Sequence, residues 1–112
     1  QQAARDLLAK EERPDAVFVA NDHMAFAAMD VARFELGLRI PEDVSFVGYD
    51  DVALAAWPSY NLTTVRQPAN RMVTETVQML LARIDNPDAT PRRISIDGPL
   101  IIRGSSKHPE EP

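Results

Sequence analysis

The side chains best suited to binding a small molecule stand in two polar pairs, Asn21 with Asp22 and Asp50 with Asp51. Each pair directly follows a short apolar segment that has the pattern of a buried strand. An amide both donates and accepts hydrogen bonds, and a carboxylate accepts them. In open α/β sheets, ligands bind outside the carboxyl ends of the strands. We therefore predict that Asn21 and Asp50 contact a ligand.

The same pairs have a structural alternative, because Asn and Asp are also favoured N-caps of helices. One member of the first pair must cap the helix that follows, so we assign the ligand contact to Asn21 rather than Asp22. By the same argument we assign the ligand contact of the second pair to Asp50 and the cap to Asp51.

Catalytic and metal-binding patterns are weak in this sequence. His23 stands beside an acidic residue, but no second metal ligand lies four residues further on, which favours a solvent-facing or interfacial histidine. Ser45 and Ser59 lack the G-x-S-x-G motif of hydrolases, and no Gly-rich phosphate-binding loop is present. We predict no enzyme, no metal and no cofactor. The alternative, an α/β enzyme with Asp50 and His23 as an acid–base pair, requires turnover that is lost on His23→Ala.

The apolar periodicity predicts strands that alternate with helices, which is typical of βαβ units in a mainly parallel sheet flanked by helices. The fold class is therefore α/β. Segments 16–20 and 44–49 are almost wholly apolar, as central parallel strands are. Five strands are predicted, at 16–20, 44–49, 62–65, 93–96 and 100–102. The predicted helices are an N-terminal helix that ends before Pro14, a helix over 22–36 that is followed by Gly37, a short helical turn over 52–56, and a helix over 69–85.

Composition limits the class of protein further. The 112 residues are 45% apolar and 26% charged, as in globular proteins, and a net charge of −5 disfavours binding to DNA by this chain alone. The absence of cysteine excludes disulfides and thiolate metal sites. No apolar run reaches the length of about eighteen residues that spans a membrane. A helical pattern without a preceding cap at residue 1 predicts a fragment of a longer chain, and we expect the polar tail 107–112 to be disordered.

The predicted helix 22–36 is apolar almost all round. One face must lie on the sheet, and a second apolar face on a small domain usually meets another chain. The alternative is that an alanine-rich helix is simply well buried. The predicted subunit contacts are Met24, Phe26 and Met29 on the helix, and Leu54 and Trp57 after the next strand.

Three motifs carry a family resemblance. They are VANDHMAFAAMDVARFELGLRIPEDVSFVGYDD at 19–51, LTTVRQP at 62–68 and the Arg-Gly pair at 103–104. The most specific parts are AND at 20–22, GLRIPEDVSFVGYDD at 37–51 and LTTVRQP at 62–68. Each of these is weak alone, but their order and spacing closely resemble the LacI/GalR family, bacterial transcription regulators that respond to sugars and nucleosides. The resemblance covers residues 14–104.

The resemblance implies a two-lobed effector domain of the type I periplasmic-binding-protein fold, preceded in the family by a helix-turn-helix and a hinge helix. This chain resembles its last part, with residues 1–66 in the C-terminal lobe, 69–97 in the N-terminal lobe and 100–104 as a return strand. Helix 69–85 would then lack its native partner within the chain. We predict that in a crystal it repacks or swaps onto a neighbouring molecule.

The resemblance also implies the ligand contacts. Family members read their effector with the Asn of the AND motif, the first Asp of GYDD and the Gln of TTVRQ, which are Asn21, Asp50 and Gln67 here. Their chemistry suits a sugar, since a carboxylate accepts from two vicinal hydroxyls. The family's aromatic residue and arginine would lie outside this chain, so it holds half a site. Gln67 could instead cap a helix, and Arg66 is more simply a surface residue than a hinge contact.

The predicted function is therefore the effector-sensing and dimer-forming domain of a cytoplasmic transcription regulator. It would form a homodimer, and it would reach DNA only through an absent N-terminal helix-turn-helix. Effector bound between the lobes would shift a two-state equilibrium of the attached DNA-binding heads. The alternative is a periplasmic sugar-binding protein, which would carry a signal peptide. Such proteins usually work as monomers, in disagreement with the apolar helix 22–36.

Overall fold

The computed structural model describes residues 1–108. They form two compact units, the first made of Gln1–Arg66 with the described residues from Leu100 onward, the second of Gln67–Pro99. The helices are α1 (Gln2–Leu8), α2 (Asp22–Asp30) and α3 (Ala69–Asp85), and the strands are β1 (Ala16–Phe18), β2 (Ser45–Asp50), β3 (Thr63–Arg66) and β4 (Leu100–Ile101).

The first unit is built on a four-stranded sheet in the order β1-β2-β3-β4. β1 pairs with β2 in parallel, β2 pairs with β3 in parallel, and β4 runs antiparallel to β3. The predicted α/β class with a mainly parallel sheet is confirmed. The strands β1, β2 and β3 therefore end at one edge of the sheet, and the polar pairs of the sequence follow two of these ends.

The helix predicted over 22–36 changes its geometry part-way. α2 ends at Asp30 and continues as a π-helical segment, Val31–Glu35, in which the N–H of Leu36 donates to the carbonyl oxygen of Val31 at 3.1 Å. Gly37 follows with a φ of +63°, which glycine adopts without the steric cost that a Cβ brings. This position confirms the predicted glycine stop.

The core of the first unit lies between α2 and the sheet. Phe46 on β2 and Met29 on α2 are fully buried, together with Leu62, and Phe26 is 5% exposed. The burial of Phe26 and Met29 corrects their assignment to a subunit contact, because a side chain packed in the core offers almost no surface to a second chain. The alternative of a well-buried helix describes this part of α2.

Two predicted strands differ from the structure. β1 ends at Phe18 rather than residue 20 and lies at the edge of the sheet, with Phe18 65% exposed, so of the two apolar strands only β2 is central. No strand forms over 93–96, although 100–102 is represented by β4. A strand needs a partner for its backbone hydrogen bonds, and residues 67–99, all of them described, contain one helix and no strand.

The second unit consists of α3 and the irregular segment that follows it. α3 has the bounds predicted from its apolar period, and no residue of it is buried. Its exposed apolar side chains are Met72, Val73, Val77, Leu80, Leu81 and Ile84. The assignment of this helix to a second lobe stays a prediction.

Candidate functional site

The two predicted ligand residues of the first unit lie at the carboxyl edge of the sheet. Asp50 is the last residue of β2, and Asn21 follows β1 and begins α2. Because Phe18 pairs with Val47, the two parallel strands reach this edge at the same level. Both polar side chains are partly exposed. They remain accessible to a molecule that approaches this edge.

Asn21, and not Asp22, caps α2. The Oδ1 atom of Asn21 accepts a hydrogen bond from the backbone N–H of Met24 at 2.9 Å. The cap uses the amide oxygen, so a ligand contact by the same side chain would use its Nδ2 donor. The division of roles predicted for this pair is therefore corrected, since one residue can hold the helix and still present a donor to the edge.

Asp22 is fully buried and joins three elements of the first unit. Its Oδ1 accepts from the Thr64 hydroxyl at 2.7 Å, and its Oδ2 accepts from the backbone N–H of Val52 at 2.9 Å. A Cβ on Gly48 would stand 2.4 Å from Asp22 Oδ1 and 2.9 Å from Leu62 Cδ2, so the carboxylate needs a glycine there. Sequence reasoning missed this role. The one signal in the sequence was Thr64, a threonine inside a predicted buried strand, because a buried hydroxyl requires a hydrogen-bond partner.

The backbone is strained where β2 ends. Asp50 has a φ of +136° and Asp51 a φ of +60°, two consecutive non-glycine residues with positive φ. Such residues cost about 1–3 kcal/mol each, persist only where the surroundings hold them, and cluster at functional sites. The bond from Val52 N–H to Asp22 is one of the contacts that hold this loop.

Asp51 forms an ion cluster and does not cap a helix. Its Oδ2 accepts from Arg66 Nε at 2.7 Å and its Oδ1 from Arg103 Nη2 at 2.8 Å, while the 3₁₀ turn Ala53–Ala56 begins without a side-chain cap. Burial opposes ionisation of Asp51, but the hydrogen bonds from the two arginines outweigh it and lower the pKa of this carboxyl. The cap predicted for Asp51 is corrected. The Arg66 side chain is 54% exposed, as predicted for a surface residue, and it also pairs with Asp51.

Arg103 is the member of this cluster that sequence reasoning missed. Its side chain is 14% exposed, and Nη1 also donates to the carbonyl oxygen of Leu62 at 2.9 Å. Its backbone N–H donates to Thr63 Oγ1 at 2.9 Å. In the sequence it stood out only as half of an Arg-Gly pair, because its partners lie about forty and fifty positions earlier in the chain.

Gln67 directly follows β3 and is the first residue of the second unit. Its carbonyl oxygen accepts from the backbone N–H of Ala69 at 2.8 Å. Pro68 occupies the N-cap position of α3 without a side-chain cap bond, and the capping role considered for Gln67 stays an untested alternative. Its ligand contact stays a prediction.

The predicted subunit contacts separate into exposed and packed residues. Met24 and Trp57 are more than half exposed, whereas Leu54 is partly buried against the core. Phe26 stacks on Tyr60 with ring centroids 4.3 Å apart and meets the edge of His23 at 5.8 Å. Burial and the neighbouring Asp30 carboxylate raise the pKa of Tyr60. The backbone N–H of Tyr60 donates to the carbonyl oxygen of Trp57 at 3.0 Å, so Tyr60 and the exposed Trp57 belong to one turn.

The sequence of residues 1–106 matches the family described as periplasmic binding protein-like domain. The chain belongs to this family.

Relatives within the periplasmic binding protein-like domain family are transcription regulators by name. The chain is 41% identical over 105 residues to the HTH-type transcriptional repressor PurR of Vibrio atlanticus, covering 94% of this chain and 31% of that protein. It is 36% identical over 104 residues to the ribose operon repressor of Escherichia coli strain K12, covering 93% and 31%. The chain therefore spans about a third of the length of these relatives.

Solved structures agree with these relatives. The regulator CelR in its cellobiose complex matches with a TM-score of 0.84 and 39% identity, over 94% of this chain and 32% of that one. A LacI-family regulator from Corynebacterium glutamicum matches with a TM-score of 0.76 and 32% identity, over 94% and 40%. The predicted resemblance to the LacI/GalR family is confirmed, and these relatives favour a regulator over the periplasmic alternative. Among residues 1–108, no helix has the length and apolar character needed to cross a membrane.

Proposed function

We propose that this chain is the effector-sensing part of a bacterial, cytoplasmic transcription regulator, and that it binds a sugar-like molecule and is not an enzyme. The observation that carries the proposal is the placement of Asn21 and Asp50 at the carboxyl edge of the sheet, in a domain whose relatives are regulators. Contact with DNA is assigned to a helix-turn-helix elsewhere in the whole protein.

The chemistry of the edge supports a polyhydroxylated ligand. The Asp50 carboxylate can accept from two neighbouring hydroxyls, and Asn21 Nδ2 can donate to a hydroxyl or ring oxygen. A ligand contact by Gln67, the first residue after β3, is proposed from the family resemblance alone. The positive φ values of Asp50 and Asp51 add support, because strained backbone of this kind clusters at functional sites. Two relatives add support through their names, a ribose operon repressor and a regulator in complex with cellobiose.

The test is a titration of the ¹⁵N-labelled chain with D-ribose and with cellobiose, at millimolar concentrations, followed by amide NMR shifts. We expect shifts at the edge, and a weakening of roughly 10–100-fold for Asp50→Asn, because a hydrogen bond to a charged group contributes about 1.5–3 kcal/mol. Asp43→Asn is the matched control, since this carboxylate pairs with Arg39 in an exposed turn. The sugar assignment is wrong if neither sugar shifts the Asn21 or Asp50 resonances.

We also propose a homodimer whose contact includes Met24, Leu54 and Trp57. The exposed apolar side chains of Met24 and Trp57 support this proposal. In a chain that also carries Leu80→Glu to remove association through α3, Trp57→Glu should convert the dimer to monomer in sedimentation equilibrium. Ile102→Glu, at a similarly exposed apolar residue directly after β4, should not. Phe26→Glu is unsuitable for this test because it would place a charge in the core. A wild-type monomer would refute the dimer.

In the whole regulator, we propose that α3 and the residues up to 97 belong to a second lobe. The support is the exposed apolar stripe of α3, together with relatives about three times as long as this chain. Within the isolated chain, that stripe is the surface on which a repacked or swapped dimer would form.

A further inference from the structure

The chain leaves the first unit and later returns to it at two neighbouring positions of the sheet. The chain leaves after Arg66, the last residue of β3, and returns at Leu100, the first residue of β4. β3 and β4 are antiparallel neighbours, and Val65 pairs with Leu100. Both connecting segments therefore start from one place on the first unit.

Asp51 holds both of these ends through arginines. Arg66 is on β3, and Arg103 follows β4 by two residues, and each donates to a different oxygen of the same carboxylate. Asp51 is also the residue next to Asp50, the predicted ligand contact. One carboxylate, with its side chain 6% exposed, thus joins the ligand loop to the two segments that lead to the second unit.

The two arms of this cluster are unequal. Arg103 is held by further hydrogen bonds to the carbonyl oxygen of Leu62 and to Thr63 Oγ1. Arg66 has a side chain 54% exposed. The Arg103 side chain is therefore the more buried and more extensively bonded of the two, and the Arg66 side chain is the more exposed.

We propose that Asp51 is a positioning residue that couples occupation of the ligand edge at Asp50 to the end of β3 through its bond to Arg66. The inference rests on the proposed effector site. Ligand on Asp50 changes the energy of the strained Asp50–Asp51 backbone, and Asp51 transfers that change to Arg66. By linkage, the state of the Arg66 arm changes ligand affinity by the same factor.

The test compares Asp51→Asn and Arg66→Gln with a control, Arg39→Gln. The control removes an ion pair of 2.9 Å, between Arg39 and Asp43, that precedes β2 and is remote from the ligand edge. In titrations with D-ribose and cellobiose, the affinity should fall by about tenfold in Asp51→Asn and in Arg66→Gln, and it should be unchanged in Arg39→Gln. The Nε–Hε resonance of Arg66 should shift on binding in the wild type and lose that response in Asp51→Asn. Arg66→Lys, which keeps a cation, should recover part of the affinity.

The outcomes separate this inference from the proposed function. Arg66→Gln leaves the Arg103 pair in place, so it keeps the test valid if Asp51→Asn does not fold. The coupling is overturned if Arg66→Gln binds the sugar as tightly as the wild type does. It is also overturned if the Nε–Hε resonance of Arg66 does not shift when the sugar binds the wild type. If neither sugar binds the wild type, the sugar assignment fails instead. An Asp50 amide resonance unaffected by Arg66→Gln then overturns the coupling independently.

Discussion

Asp22 provides the sharpest test of how this edge is built. Asp22→Ala leaves the backbone N–H of Val52 and the hydroxyl of Thr64 without their buried acceptor. An unsatisfied buried polar group costs about 1–3 kcal/mol, so the two together should lower the free energy of unfolding by about 2–6 kcal/mol. That loss is a large part of the roughly 5–15 kcal/mol that stabilises a typical domain.

Asp22→Asn should be milder, for a geometric reason. The amide oxygen can accept from Val52, and the Thr64 hydroxyl can turn to accept from the amide nitrogen, so both hydrogen bonds survive without charge. The expected loss is roughly 1–3 kcal/mol, from weaker neutral bonds and one unused hydroxyl hydrogen. Asp6→Ala, at an exposed carboxylate on α1, is the control and should change stability by less than about 0.5 kcal/mol.

The assay combines urea denaturation, followed by circular dichroism, with native-state hydrogen exchange. The Phe46 amide on β2 donates to the carbonyl oxygen of Ser105 at 2.8 Å, and its exchange reports opening of the first unit rather than of α3. The reasoning is refuted if Asp22→Ala costs less than about 1 kcal/mol, or if the Asn variant is as unstable as the Ala variant.

Three further results follow from the same structure. Gly48→Ala should lower stability by about 1–3 kcal/mol through overpacking, and by clearly less in the Asp22→Ala background, where the clashing carboxylate is gone; additive losses in a double-mutant cycle would contradict this contact. Side-chain hydrogen bonding from Arg39 lowers the pKa of Asp43 to about 2, and the pKa of Asp51 is also lowered. The stabilisation by each carboxylate is therefore complete above the unfolded pKa of about 3.9 and is lost as the pH falls through its own folded pKa. Asp51→Asn should weaken the dependence of the urea midpoint on pH below that unfolded pKa. An unchanged pH profile would show that Asp51 does not contribute to it. Leu80→Glu, on the exposed stripe of α3, should reduce self-association in light scattering while leaving Phe46 exchange unchanged; a large loss of protection would mean that α3 stabilises the first unit.

Much of the fold was predictable because its signals are local. An apolar period of 3.6 marked α3, a glycine after the apolar helix marked its end, and apolar runs marked the strands. The strand over 93–96 was wrong because strand formation depends on a partner as well as on the segment. β1 was misplaced at the centre for a similar reason, since an apolar run does not say how many neighbours the strand has.

The candidate site shows the same division between local and long-range information. Sequence by itself determined that polar pairs follow two strand ends, and hence which edge of the sheet is the candidate ligand site. Only the tertiary structure decided the role of each member: Asn21 caps, Asp22 is buried, and Asp51 binds two arginines, 15 and 52 positions further along the chain. An N-cap bonds to a backbone N–H within the first turn of its own helix, so its partner is close in the sequence. The partner of a buried carboxylate instead depends on which distant segments the packed core brings beside it.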